Sequence, residues 1–577
     1  MEIRENIANF VSPIILTMNK FILFLLCTVT TAVSFAVNPS GTLPVLTIYT
    51  ENGAAVNSRE TYVRGTYSFD PMGDESMTSL FGTLEIRGRG NWTWTDFEKK
   101  PYRIKLTEKA ALAGMERSRH FALLAHADDD LGFLRNALGF KLSELIHVYW
   151  TPDMRPVELV LNGDYRGLYF LTETVRVAKK RVNVTDQEEQ GVTSDPTGGW
   201  LCEIDNYYED PSEQVVLRDP DGEDLRVTHK SPEKCNAEQQ KFLVDQLTAM
   251  TNAIYINDKS SREWERYIDP DALARYFVVR ELMDDVEAFW GSCYFSRERG
   301  QDTKWKFGPV WDFGYSYRRD WPQHIYEDPT WGQRWIHRLV RFDSFSKLYK
   351  ETFRKFVNAH YNEVLDYISE FSARIAAGSR ADAERWASEW YGNPDTSLTA
   401  AEVRRRFRQR VGWLAESYGV EVASNIAMPT GLYLRGDQND WGTQPSWELL
   451  QVGENRYEIE DVTLQGMFKV ADTEWGAQNW GTPDGRKNIY AETPMELING
   501  QDYNDMILEQ PTHFARVIFE VLEPGKRARI TLTNKAGVES IGMEPAATDR
   551  IYDIYGHEVK EMIPGNIYIV NGRKIIR

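Results

Sequence analysis

Two short stretches of this chain concentrate side chains that could do chemistry. Glu281 to Glu287 (ELMDDVE) holds Asp284, Asp285 and Glu287, and Lys304 to Tyr317 (KWKFGPVWDFGYSY) presents Asp312 between Trp311 and Phe313, just before Gly314. Neighbouring carboxylates can hold a divalent cation, and another can take the proton of an attacking hydroxyl. Together with cations to hold phosphates, these are the parts phosphoryl transfer needs. Trp311 and Phe313 would lock the backbone by packing and leave the Asp312 carboxylate aimed into a cleft. Plainer readings stand beside these: Asp312 could cap a turn or pair with Arg318, and the acidic cluster could be a solvated helix end.

The cations lie earlier. In KKPYRIKL (Lys99 to Leu106), alternation from Tyr102 puts Arg103 and Lys105 on one strand face. Arg87 and Arg89 are flanked by Gly88 and Gly90, and glycine lets backbone approach an anion closely while an arginine fork matches phosphate oxygens. Exposed strand cations pairing with Glu85 and Glu98 would give the same pattern.

The elements that must position these groups fall into blocks. Leu43 to about Val175 is strand-rich, interrupted by one helical pattern over Leu131 to His147. Asn162-Gly163 between two apolar runs is a hairpin turn. From about Ala237 four helical patterns follow, and the strands there flank Asp312. Near Ala427 the pattern turns to short strands with interleaved Trp and Gly, the mark of a β-sandwich.

At 577 residues the chain exceeds one core and predicts two to four domains. A formal charge of −19 argues against general binding to nucleic acid or anionic membrane, which needs a basic footprint. The apolar run Phe21 to Ala36 follows Lys20 and ends in Ser34-Phe35-Ala36, which predicts a secretory signal peptide cleaved after Ala36, with Met18 a plausible start and an uncleaved anchor as the competing reading. No later segment is apolar enough to span a membrane. Cys202, Cys235 and Cys293 are too few for a disulfide scaffold, although one pair, Cys202 with Cys235, is an open expectation.

Five ordered segments resemble the CotH kinase family, the spore-coat protein H type of atypical secreted kinase. They are LEIRGRGNWTW (Leu84 to Trp94) with KKPYRIKL, LRNALGFKL (Leu134 to Leu142), VELVLNGDYRGLYFLTETV (Val157 to Val175), GGWLCEID (Gly198 to Asp205) and FGPVWDFG (Phe307 to Gly314). The resemblance implies an α+β fold: a two-lobed, atypical protein-kinase-like domain over 37–426, with a strand-rich N-lobe (about 43–210) and a helical C-lobe (about 237–422). It implies ATP with Mg²⁺ or Mn²⁺ as cofactors. Asp312 and Asp285 would hold metal, Glu287 would orient the hydroxyl, and Lys105 would grip phosphates beside Arg87 and Arg89. Glu144 would be the ion-pair partner of Lys105, and Glu173 would meet the base or ribose, with Glu203 and Asp205 in the same cleft wall. Two positions depart from the family pattern. Glu287 replaces its usual aspartate, moving the carboxylate by one methylene, and Gly314 replaces the second aspartate of Trp-Asp-Phe-Asp.

Residues 427–535 resemble, at lower specificity, the SusE/SusF-type starch-binding modules, which implies a carbohydrate-binding surface at Trp441, Trp475 and Trp480 with Asp437, Asn439 and Asn479 nearby. For each tryptophan a place in the sandwich core is the competing reading. Residues 536–577 resemble short β-rich segments that serve sorting or surface attachment. The leading expectation is a secreted kinase of the periplasm or surface of a bacterium, phosphorylating Ser/Thr of an extracytoplasmic protein. The rival is a catalytically degenerate, kinase-shaped surface protein that binds or displays polysaccharide. A glycoside hydrolase has the carboxylates but not the layout.

Overall fold

The computed structural model describes residues 38–207, 214–319, 322–328, 334–388, 396–502, 504–534 and four short stretches within 551–576. The expected signal peptide lies outside them, as does 536–550 of the C-terminal segment.

The strand-rich block is a closed barrel. Its strands are β1 (Val45–Thr50), β2 (Val63–Asp70), β3 (Leu80–Gly88), β4 (Tyr102–Ala110), β5 (Ser118–Leu124), β6 (Met154–Leu161) and β7 (Asp164–Glu173). They run in the order β1-β2-β3-β4-β5-β7-β6 and close through a parallel β1–β6 pairing. Period-two alternation drives this: Ile48, Phe69, Leu84, Ile86, Ile104, Phe121, Leu159 and Leu171 point inward and fill the interior. Asn162 and Gly163, at φ 54° and 80°, make the two-residue β6–β7 turn. Asn162 also accepts a 2.8 Å hydrogen bond from the Thr50 amide, fastening the closing strand.

Helix α1 (Leu134–Leu145) lies between β5 and β6 in sequence but packs outside the barrel, in the core formed with the later helices. A five-stranded sheet follows, from β8 (Trp200–Ile204), β9 (Gln214–Arg218), β10 (Asp224–Ser231), β11 (Cys293–Arg297) and β12 (Lys306–Phe307), in the order β12-β11-β8-β10-β9. The strands ahead of Asp312 are therefore not an isolated hairpin: β11 pairs with β8, placing the segment before Asp312 on the same sheet as GGWLCEID. The longer helices that follow are α2 (Ala237–Ile254), α3 (Pro270–Leu282), α4 (Asp343–Arg385) and α5 (Thr396–Tyr418). Among the described residues no helix is long and apolar enough to cross a membrane.

One buried ion pair ties the barrel to the helices. Lys99 Nζ lies 2.8 Å from Asp382 on the 43-residue α4 and donates to the Leu168 carbonyl at 2.7 Å, and Asp382 accepts from the Leu168 amide at 2.7 Å.

Beyond Ala427 the strands form one sheet that folds back on itself instead of two separate layers. Its long strands Arg456–Ala471 and Met506–Glu523 pair with each other and are joined again through Asn479–Gly481, Met495–Asn499 and Arg527–Thr533. Helix α5 bears on it, with Arg408 2.6 Å from Glu460. Four short antiparallel strands occupy Ile551–Asp553, Glu558–Val559, Ile567–Val570 and Arg573–Ile576.

Candidate active site

Helix α3 ends at Leu282 because the backbone breaks at Asp284, whose φ is 50°. The acidic cluster therefore sits in a buried turn, with Asp284 at 6% and Asp285 at 1% exposure, which removes the reading as a solvated helix end. Buried carboxylates need partners. Asp284 is paired with Arg319 and lies 3.4 Å from Arg410, and Asp285 is paired with Arg280.

Arg280 organises the site from beneath. Its guanidinium binds Asp285, donates to the carbonyls of Asp312 at 2.8 Å and Trp311 at 2.7 Å, and stacks 4.4 Å from the Phe313 ring centroid. One cation thus fixes the acidic turn and the Asp-Phe-Gly turn relative to each other.

Helix α1 holds the same turn from the other side. Asn136 Oδ1 accepts from the Phe313 amide at 3.0 Å, and Arg135 Nε donates to the Ser316 carbonyl at 2.7 Å. The Phe313 ring lies against Gly139, where a Cβ would fall 2.3 Å from Cε2. Trp311 and Phe313 are buried while Asp312 is exposed. Asp312 adopts a φ of 57°, uncommon for a non-glycine residue, and its Oδ1 accepts from the Gly314 amide at 3.1 Å. Arg318 does not pair with it; that guanidinium lies 3.4 Å from Asp128 and donates to the Gly314 carbonyl.

Asp128 faces the site although the sequence reading passed over it. Burial and its neighbours Asp129 and Asp312 push its carboxyl up to about 6. A Cβ on Gly314 would lie 3.3 Å from Asp312 Oδ1 and 3.9 Å from Asp128 Oδ2, so both carboxylates border the space a family aspartate would occupy. Glu287 is partly buried, hydrogen-bonded to the Tyr207 hydroxyl, and raised to about 8 by burial, then by Asp312 and Asp285. Asp285 is raised to about 6, chiefly by burial, against the pull of Arg280. Among the described residues no group of three His, Cys, Asp or Glu side chains is disposed to hold a metal ion. Asp312 and Asp128 offer two carboxylates, and magnesium characteristically takes one or two from protein and the rest from water and phosphates. The donor set fits that mode. Asp285, expected as a metal ligand, is instead engaged by Arg280.

On the barrel side, Arg89 places its guanidinium 5.7 Å from the Trp311 ring centroid and feels Asp312 and Tyr294. Arg87 stacks 5.2 Å from the Tyr62 centroid. Lys105 lies 3.7 Å from Glu85 on the neighbouring strand, the cross-strand pairing that was the plainer reading. The expected Lys105–Glu144 pair is absent, because α1 points Glu144 outward to Lys141 at 3.4 Å. Glu173 is not a nucleotide contact in this geometry: it is 3% exposed, 3.4 Å from Arg181, and accepts from the Asp153 amide at 3.0 Å. Glu203 is buried against Lys230 at 2.9 Å. Cys202, Cys235 and Cys293 are free thiols, so the expected pair is not formed.

In the C-terminal module Trp480 is fully buried, its ring 5.4 Å from Phe519, and belongs to the core. Asn439 and Asn479 are also buried and bonded internally. Trp441 and Trp475 are partly exposed with ring centroids 5.9 Å apart, and Arg435 lies 3.8 Å over Trp475.

No curated protein matches the chain. A family model described as CotH kinase protein matches residues 86–414, more than half of the chain and the whole span from Arg87 to α5. The acidic turn, the Asp-Phe-Gly turn, the arginine that joins them and the helix that props the latter all fall within that match, and the chain belongs to the CotH kinase family.

Proposed function

We propose that this protein is an exported kinase that binds a nucleoside triphosphate with a divalent cation and transfers its terminal phosphoryl group to Ser or Thr of an extracytoplasmic protein. The observation that carries the reading is Asp312: exposed at φ 57° between two buried aromatic residues, with its main chain held by Arg280 and Asn136. Mg²⁺ or Mn²⁺, when bound, would supply charge neutralisation to the phosphates. Asp312 and Asp128 would be its protein ligands. Arg89 approaches the same space from the barrel and would steady a phosphate oxygen. Glu287 would take the acceptor hydroxyl's proton. Tyr207 holds its orientation, and its elevated pKa brings it nearer the range where a base works at neutral pH. Calorimetric titration with ATP and Mg²⁺ or Mn²⁺, beside Asp312→Asn, tests this. Metal-dependent binding that the variant loses is expected; a well-folded wild type that binds nothing overturns it.

A second reading, glycan binding or display, is favoured by the Trp441–Trp475 pair. Both residues have positive φ (59° and 57°), a conformation bulky side chains rarely adopt, and flat aromatic faces stack on sugar rings. Retardation of the wild type in a polysaccharide gel, abolished by Trp475→Ala, is the expected result for this surface. Retardation without nucleotide binding would favour the display protein over the kinase.

A further inference from the structure

The outer face of the barrel carries charges that the rest of the molecule does not balance. In a chain of net charge −19, Arg87, Arg89, Arg103 and Arg176 form no ion pair among the described residues. Arg87 and Arg103 stand directly opposite each other on β3 and β4, an arrangement that repels on adjacent antiparallel strands. Arg103 is partly buried and its Nε is sealed from water without a hydrogen-bond partner. Arg176, just beyond β7, is close enough to disfavour charge on Arg103, and Arg89 continues the row to Asp312. The exposed Glu233 acts on Arg103 in the opposite sense without forming an ion pair with it. His120, beside these cations, is held down to about 3 by burial and then by Arg176, Arg103, Lys105 and Arg181, so it adds no positive charge of its own at neutral pH. Facing guanidinium groups without a carboxylate partner, one of them with a sealed Nε, suit an anion with several charges in line.

We propose that Arg103 and Arg176, with Arg87, form a polyphosphate-reading track that runs from Arg89 and Asp312 along the outside of the barrel, and that Arg103, not Lys105, is the principal phosphate-gripping cation. This rests on the nucleotide reading above and adds its specificity: the site counts phosphates.

The test is calorimetric titration of the full chain, with Mg²⁺, using ATP, ADP, AMP and inorganic tripolyphosphate as separate probes. The variants are Arg103→Gln, Arg176→Ala, Lys105→Ala and Asp312→Asn, each checked for a wild-type melting transition. Arg176→Ala changes a residue outside the strands and keeps the test sound if Arg103→Gln does not fold. The track predicts affinity falling from ATP to AMP, and a loss of about tenfold or more for ATP and tripolyphosphate in Arg103→Gln and Arg176→Ala. It also predicts AMP binding unchanged in both variants, and Lys105→Ala behaving as wild type. ATP binding that needs Asp312 but ignores Arg103 and Arg176 overturns the track and leaves the nucleotide site standing. Tripolyphosphate binding that needs the arginines, with ATP binding no tighter and indifferent to Asp312→Asn, upholds an anion track and overturns the nucleotide reading.

Discussion

Glu287 is the residue whose chemistry is most altered by its surroundings. Its carboxyl is pushed up to about 8 by burial and by the fixed charges of Asp312 and Asp285. A folded-state pKa above the unfolded value near 4.5 means that its contribution to stability is present below the unfolded pKa and lost as pH rises through the folded one. The native state should therefore lose stability between about pH 5 and 8, by an amount on the order of a few kcal/mol. Denaturant melts at both ends of that window should show the loss, Glu287→Gln should flatten it, and Mg²⁺ should reduce it by neutralising Asp312. Gly314 gives a second prediction at this scale. Gly314→Asp would place a third carboxylate beside Asp312 and Asp128, so Mg²⁺ affinity should rise several-fold while the metal-free protein melts earlier. A variant that binds metal no better would show that Asp128 and Asp312 do not share a cation.

Helix α1 acts as the prop of the Asp-Phe-Gly turn. Its exposed face carries Glu144, paired with Lys141, while its buried face carries Arg135, Asn136 and Gly139, all against residues 313–316. Gly139→Ala would gain up to ~1 kcal/mol of helix propensity but force a methyl into the Phe313 ring, and overpacking costs typically ~1–3 kcal/mol. The clash should win. The expected result is a lower melting temperature together with weaker Mg²⁺-dependent nucleotide binding, because Phe313 cannot shift without moving Asp312. Thermal melts and titration of the same variant check both halves. Among the helices, α5 has a comparable two-sided role: Arg406 donates to the Tyr317 carbonyl at 2.9 Å and Arg410 to the Gln323 carbonyl at 2.8 Å on one side, while Arg408 meets Glu460 on the other.

Ion pairs join the molecule at two seams, one of them fully buried. At the barrel–helix seam, Asp382→Ala would leave Lys99 buried and uncompensated, a change that costs ~3–5 kcal/mol where such pairs have been broken. Lys99→Met combined with Asp382→Leu should recover most of that loss, since an apolar replacement removes the desolvation penalty of both ions. Denaturant melts of the two variants decide it; equal destabilisation would mean the pair contributes by more than its charge balance. At the seam with the C-terminal module, Glu460→Ala should expose the connection around Pro429 to protease while the rest of the chain keeps its stability, because Arg408 would lose its carboxylate partner there.

The sequence by itself determined what period and local chemistry can dictate. Alternation marked the barrel strands, helical spacing marked α1 to α5, Asn162-Gly163 marked the hairpin, and ordered motifs marked the family. It also singled out Asp312, because an aspartate between two aromatic residues is a local pattern. What it did not reveal depends on groups far apart in the chain. Closure of the barrel needs β1 beside β6, and no local pattern encodes that parallel pairing. Arg280 reads as one more helical arginine until residues 285, 311 and 312 converge on it. Lys105 and Arg103 share a strand face and are indistinguishable by alternation; Glu85 on the next strand occupies one and leaves the other unpaired. Trp480 sits on a strand and faces the core, whereas Trp441 and Trp475 lie in turns between strands, a difference that tryptophan type and spacing do not carry. Residue type and spacing specify what a side chain can do, whereas the neighbours that tertiary structure brings to it decide whether it is buried, paired or left free to act.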